Sequence, residues 1–155
     1  MVLIPVILMK VMRDYGIISS FDMPNKEERF SAYAVVAILY LINYQLLFQM
    51  GAPRILRLSV FGVWIVLILL SIINRFFKIS AHMTAVGGMI GFLVYASILD
   101  ATMMFYLLLS ILISGFVASA RLYLLAHNNF QIVTGLILGI TVMFLVFFLN
   151  WLPTF

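Results

Sequence analysis

The stretch Phe130–Leu149, FQIVTGLILGITVMFLVFFL, decides the fold. It holds no Lys, Arg, Asp, Glu or His, and its apolar residues fall on every side of a helix. About 20 such residues, rising 1.5 Å each, match the roughly 30 Å hydrocarbon core of a bilayer. Lipid offers nothing to satisfy backbone N–H and C=O groups, so a lone segment there closes its hydrogen bonds internally, as a helix. The alternation of apolar and polar residues that marks a barrel strand is missing.

Working back from this segment, four more stretches read the same way: Phe30–Met50, Leu58–Asn74, Met83–Leu99 and Met103–Ala126. Short connections carrying helix breakers separate them, such as Gly51-Ala52-Pro53-Arg54 and His127-Asn128-Asn129. The first apolar stretch, Met1–Met12, reaches only about 18 Å. It is either a half-span or what is left of a longer one, and the second is the reading adopted. Met1 opens straight into apolar residues with no basic leader, so no cleavable signal peptide is expected.

Composition agrees. The chain is 66% hydrophobic and 9% charged, with a mean hydropathy of +1.23, whereas a soluble domain is about 25% charged. The expected fold is an all-α integral membrane bundle: five full transmembrane helices plus a short or truncated N-terminal one, forming a single domain over residues 1–155. With no cysteine, disulfides, thiolate metal sites and cysteine nucleophiles are excluded. A net charge of +4 with no basic face excludes nucleic acid as a partner, leaving membrane lipid.

Small residues recur at helix-packing intervals: Gly87, Gly88 and Gly91; Gly115 and Ser119; Gly135 and Gly139. They are expected to let helix backbones approach closely. Asn43, Gln45 and Gln49 are expected to bridge helices, and Trp64, Trp151 and most tyrosines to face lipid or the interface.

Counting crossings assigns every charge to a side. The loops Asp14–Arg29, Arg75–His82 and Arg121–His127 share one membrane face. Of the Lys, Arg, Asp, Glu and His residues, only Arg54, Arg57 and Asp100 fall on the other. Lys26, Arg29, Arg75, Lys78, His82, Arg121 and His127 therefore converge from three loops. Collection of Lys and Arg on one leaflet is a general topological bias. It does not account for both histidines, and ionisable residues beside a bundle interior are functional candidates. A shared anion-binding site is expected there.

At this face Ala120-Arg121-x5-His127-x3-Gln131-Ile132-x2-Gly135 resembles the third motif of the type 2 phosphatidic acid phosphatase superfamily. That motif is Ser-Arg, five residues, His, three residues, Asp, then glycine. Ile79-Ser80-Ala81-His82 resembles its second motif, Pro-Ser-Gly-His. The resemblance covers roughly residues 71–140 and implies a membrane phosphatase acting on a lipid phosphomonoester or diphosphate. By it, His127 is the nucleophile that becomes a phosphohistidine and His82 the acid for the leaving alcohol. Gln131 stands at the position of the orienting aspartate, and Arg121 and Ser80 hold phosphate oxygens. No cofactor and no metal is implied. The first motif, Lys, six residues, Arg-Pro, is absent. Arg75 and Lys78 are its stand-ins, with Lys26 and Arg29 the alternative source of charge, although Asn25 and Glu28 also have the spacing of a capping box. Ala81 replaces the motif glycine. Bacterial relatives suggest an inner (cell) membrane location with the site facing the periplasm.

Gln131 and the missing first motif also suit a second reading, a degenerate relative that binds or carries phospholipid head groups without turnover. A transporter would need interrupted spans in two related halves, which the chain lacks.

Overall fold

The computed structural model describes residues 3–16, 18–19 and 26–151, with backbone alone for 3–6, 8, 9, 26, 150 and 151. The described residues form six helices and no strand: α1 (Leu3–Asp14), α2 (Lys26–Gln49), α3 (Arg54–Phe76), α4 (Ala81–Leu99), α5 (Met103–Tyr123) and α6 (Asn129–Trp151). Among them α2 to α6 are long and apolar enough to cross a membrane. The chain is an integral membrane helical bundle. At 12 residues α1 is too short to span. It ends at Gly16, whose φ of +72° suits glycine, and Met12 and Ile18 bury against Ala32 at the start of α2.

The helix limits depart from the apolar runs at charged ends. α2 takes in Arg29, and α3 begins at Arg54 and includes Arg57. Long cationic side chains reach the interface from within a helix, so charge marks the edge of the lipid zone and not of the helix. Arg57 lays its guanidinium over the Phe48 ring at 5.2 Å, a cation–π contact. α5 stops at Tyr123 rather than Ala126, for a backbone reason given below.

The most extensive packing is between α4 and α6, which run parallel. A Cβ on Gly87 would meet the carbonyl oxygen of Leu136, and one on Gly91 that of Ile140. From the other side, a Cβ on Gly139 would strike the Thr84 carbonyl, and one on Gly135 would lie 2.7 Å from the Ser80 oxygen. Four glycines thus bring two backbones into direct contact where lipid supplies no hydrophobic drive. Gly88 lends its backbone amide to this seam, 2.6 Å from a Cβ built on Gly139, although its own Cβ would meet open space; Gly115 has nothing within 4 Å of a built Cβ, so the packing role expected of it is not found, and Ser119 is exposed. α3 joins α6 through Gly62, which makes room for Met143. α2 packs on α3, and α5 on α4.

Asn43 is buried, its Nδ2 without a hydrogen-bond partner among the described residues, whereas Gln45 and Gln49 are exposed. None of the three makes the interhelical bridge expected. Trp64 packs against Phe61, their ring centroids 5.6 Å apart; the Trp151 side chain lies outside the described residues.

A candidate anion site at one end of the bundle

α2, α4 and α6 all begin at the same end, so three positive helix ends face one way. α3 and α5 finish there with Arg75 and Arg121 in their last turns, where a cation complements the negative helix terminus.

Two loops build the floor. After α3 the chain turns extended at Phe77. Fully buried Asn74 holds the turn: its Oδ1 accepts from the Ile79 amide at 3.2 Å, and its Nδ2 donates to the Leu70 carbonyl at 3.0 Å. Ser80 then caps α4, its Oγ accepting from the Met83 amide at 3.4 Å. Its own amide donates to the Gln131 carbonyl at 3.2 Å, a bond that ties the start of α4 to the start of α6.

The second loop is a Schellman turn. The Ala126 amide donates to the Arg121 carbonyl at 3.2 Å, and the Leu125 amide to that of Leu122 at 2.9 Å. Leu125 takes the left-handed position, φ 50°, that glycine normally fills. This ends α5 before the apolar run does. The turn aims the Ala126 carbonyl at Lys78, whose Nζ donates to it at 2.9 Å. The two loops are locked together.

His127 follows directly. Its Nδ1 lies 3.0 Å from Gln131 Oε1, and the Asn128 amide donates to the same oxygen at 3.3 Å. An amide N–H needs an acceptor, so that atom is oxygen, and the imidazole must offer it Nδ1–H. The Gln131 amide in turn donates to Asn128 Oδ1 at 2.9 Å. In this tautomer Nε2 keeps its lone pair. Burial lowers the His127 pKa from its ordinary 6.5; the bond to Gln131 pulls the other way, and the charges of Lys78, Arg121 and His82 lower it further. The balance favours the neutral ring.

His82, in the first turn of α4 and exposed, lies within electrostatic reach of both His127 and Arg121. Arg121 is partly exposed, while its Nε–H is buried with no hydrogen-bond partner among the described residues. Arg29 is buried at 7% exposure. One turn further along α2, Tyr33 lies within electrostatic reach of both Arg29 and Arg121. The structure therefore brings His127, His82, Arg121, Lys78 and Gln131 together, with Arg29 beside them through Tyr33. Ser80 is at the same place but wholly buried, its oxygen engaged as the helix cap. Arg75 stacks over Phe30 at 5.7 Å. The Lys26 side chain and Asn25 lie outside the described residues. Glu28 is turned to Ser19, accepting from its amide and hydroxyl at 3.1 and 3.0 Å.

Tyr33 escaped the sequence reading, which sent most tyrosines to lipid. The available signal was its position four residues after Arg29, on the same helical face. No set of three or more His, Cys, Asp or Glu residues able to hold a metal occurs among the described residues.

Comparison with family models, with curated proteins and with solved structures finds no match. Fold and site together define an integral membrane helical bundle that gathers two imidazoles and several cations at one membrane face.

Proposed function

We propose that this protein is a membrane phosphatase of the type 2 phosphatidic acid phosphatase kind, hydrolysing a lipid phosphomonoester or diphosphate through a phosphohistidine. The observation that carries this reading is the neutral His127, its Nδ1 tied to Gln131, within electrostatic reach of Lys78, Arg121 and His82. Phosphoryl transfer asks chiefly for an in-line nucleophile and positioned positive charge. His127 Nε2 attacks phosphorus while the bond to the leaving oxygen breaks, and His82, once protonated, gives that proton to the leaving oxygen. Neutral His82 then takes a proton from water, which attacks phosphorus and releases phosphate from His127. Arg121 offers a planar fork to equatorial oxygens. Lys78 adds charge, and the positive end of the α6 dipole adds to it.

The test is phosphate release from lipid phosphates by detergent-solubilised protein. His127→Ala is expected to abolish it, and undiminished turnover in that variant defeats the assignment. The site is proposed to face the periplasm from a bacterial inner membrane.

A second reading, head-group binding or carriage without turnover, draws on Gln131. A glutamine fixes the tautomer as an aspartate does, but it cannot stabilise the imidazolium that attack creates. Exchange of a triad aspartate for its amide elsewhere costs about 10⁴-fold in turnover. Under this reading lipid phosphate binds without hydrolysis, and Gln131→Asp brings activity.

A further inference from the structure

Asn128 is the N-cap of α6. Its carbonyl accepts the first helical bond, from the Ile132 amide at 3.1 Å, and its Oδ1 accepts from the Gln131 amide at 2.9 Å. Gln131 returns the bond, its Oε1 accepting from the Asn128 amide at 3.3 Å. The pair is a capping box with glutamine in the third helical position. An ordinary box ends there, but this one carries a third group: the His127 ring, whose Nδ1 lies 3.0 Å from the same Oε1. A side-chain amide has one oxygen and one NH2, so turning it end for end exchanges an acceptor for two donors. The turned amide would set its NH2 against the Asn128 N–H, donor against donor. It would also make His127 Nδ1 the acceptor and move the ring proton to Nε2. The box therefore selects one orientation of the amide, and with it one tautomer. The main chain before the ring is held separately, by the Lys78 bond to the Ala126 carbonyl, and the start of α6 by the Ser80 amide on the Gln131 carbonyl. What those bonds leave unfixed is the imidazole, and Gln131 is its hydrogen-bond partner among the described residues.

We propose that Asn128 is a positioning residue: by capping α6 it holds the Gln131 amide with its oxygen toward the imidazole, and so keeps Nε2 of His127 unprotonated. The use of that lone pair on phosphorus rests on the phosphatase reading; the tautomer does not. A carboxylate at position 131 would present two equivalent acceptors and no wrong end. An amide has a wrong end, so a chain with Gln131 there needs a second contact to choose between the two. Asn128 supplies it with side chain and main chain together.

The experiment reads the His127 tautomer by proton–nitrogen correlation NMR of the imidazole, on the ligand-free full chain in detergent at alkaline pH, with the His127→Ala spectrum identifying its signals. Wild type is expected to show Nδ1–H and a bare Nε2. Asn128→Gly removes the cap oxygen, and glycine costs an N-cap little. Its melting temperature is expected to stay near that of wild type, while His127 gives a mixture of both tautomers. Asn128→Ser, which caps about as well as asparagine, is expected to restore the single form. Gln131→Met keeps its backbone bond to Asn128 Oδ1 and loses only the side-chain amide; it is expected to give the same mixture. Where phosphate is released, kcat in Asn128→Gly is expected to fall with the Nδ1–H population, about twofold for an even mixture, at unchanged KM. A residue that only caps the helix changes the melting temperature and leaves the tautomer untouched. A single Nδ1–H form persisting in Asn128→Gly or in Gln131→Met overturns the proposal, as does an Nε2–H ring in wild type. Tautomers that respond as expected in a protein releasing no phosphate uphold the positioning role while removing the phosphatase.

Discussion

His127 and Leu125 carry the sharpest predictions at the scale of single residues. The chain has two histidines, so NMR titration resolves each. His127 is expected to titrate below 6.5, because burial and neighbouring cations favour the neutral ring. Gln131→Leu removes the one influence acting upward and is expected to move that pKa further down; Lys78→Gln removes a cation and is expected to move it up. If turnover needs neutral His127, the acid limb of its pH profile follows these shifts. The linkage sign is equally definite. A base whose folded pKa lies below its unfolded value binds fewer protons when folded, so its contribution to stability is lost as pH falls from 6.5 through the folded pKa. For Leu125, a left-handed backbone costs an L-residue about 1–2 kcal/mol, against about 0.5–1 kcal/mol of added entropy for glycine. Leu125→Gly is therefore expected to stabilise by up to about 1 kcal/mol, read as a raised melting temperature in detergent. The side chain, 91% exposed, leaves little packing to lose.

At the scale of helices, the α4–α6 seam separates glycines that matter from those that do not. Gly139→Ala sets a methyl against the Thr84 carbonyl and the Gly88 amide. The two backbones must part, at a cost of about 1–3 kcal/mol. Gly88→Ala and Gly115→Ala meet open space and are expected to be neutral or stabilising by up to about 1 kcal/mol. Chemical denaturation of the three variants checks the order, and equal losses at all three positions would contradict the seam. The spans themselves were legible, since an uncharged run such as Phe130–Leu149 has no other way to satisfy its backbone in lipid. Their ends were not. Arg54 and Arg57 lie inside α3, and Leu125 stops α5 without a glycine to announce it. Of the glycines, Gly87, Gly91, Gly135 and Gly139 were read correctly, but spacing cannot say which face of a helix meets a neighbour. That is also why Gly115 was misjudged and Tyr33 missed.

For the molecule as a whole, the governing feature is one-sidedness. Crossing parity already placed the histidines and most cations at one end, and the Lys78–Ala126 and Ser80–Gln131 bonds join the loops concerned. What parity could not supply was engagement: Ser80 as a buried cap, Arg75 stacked on Phe30, Gln131 bonded to His127. Because the chain has no cysteine, sidedness is directly measurable. Phe76→Cys and Tyr123→Cys, at positions 78% and 88% exposed, are expected to react with an impermeant maleimide from one side of the membrane. Met50→Cys, at a position 79% exposed, is expected to react only from the other. For a periplasmic site the first pair labels in intact cells; labelling of all three from one side contradicts the five-span arrangement.

The seam has a consequence for biosynthesis. Its two helices are not consecutive, so α4 enters the membrane and waits while α5 is translated and inserted. Gly135 and Gly139 reach the ribosomal exit only with α6. Until then His82 has no imidazole opposite it, and a nascent chain stalled before α6 has no assembled anion site.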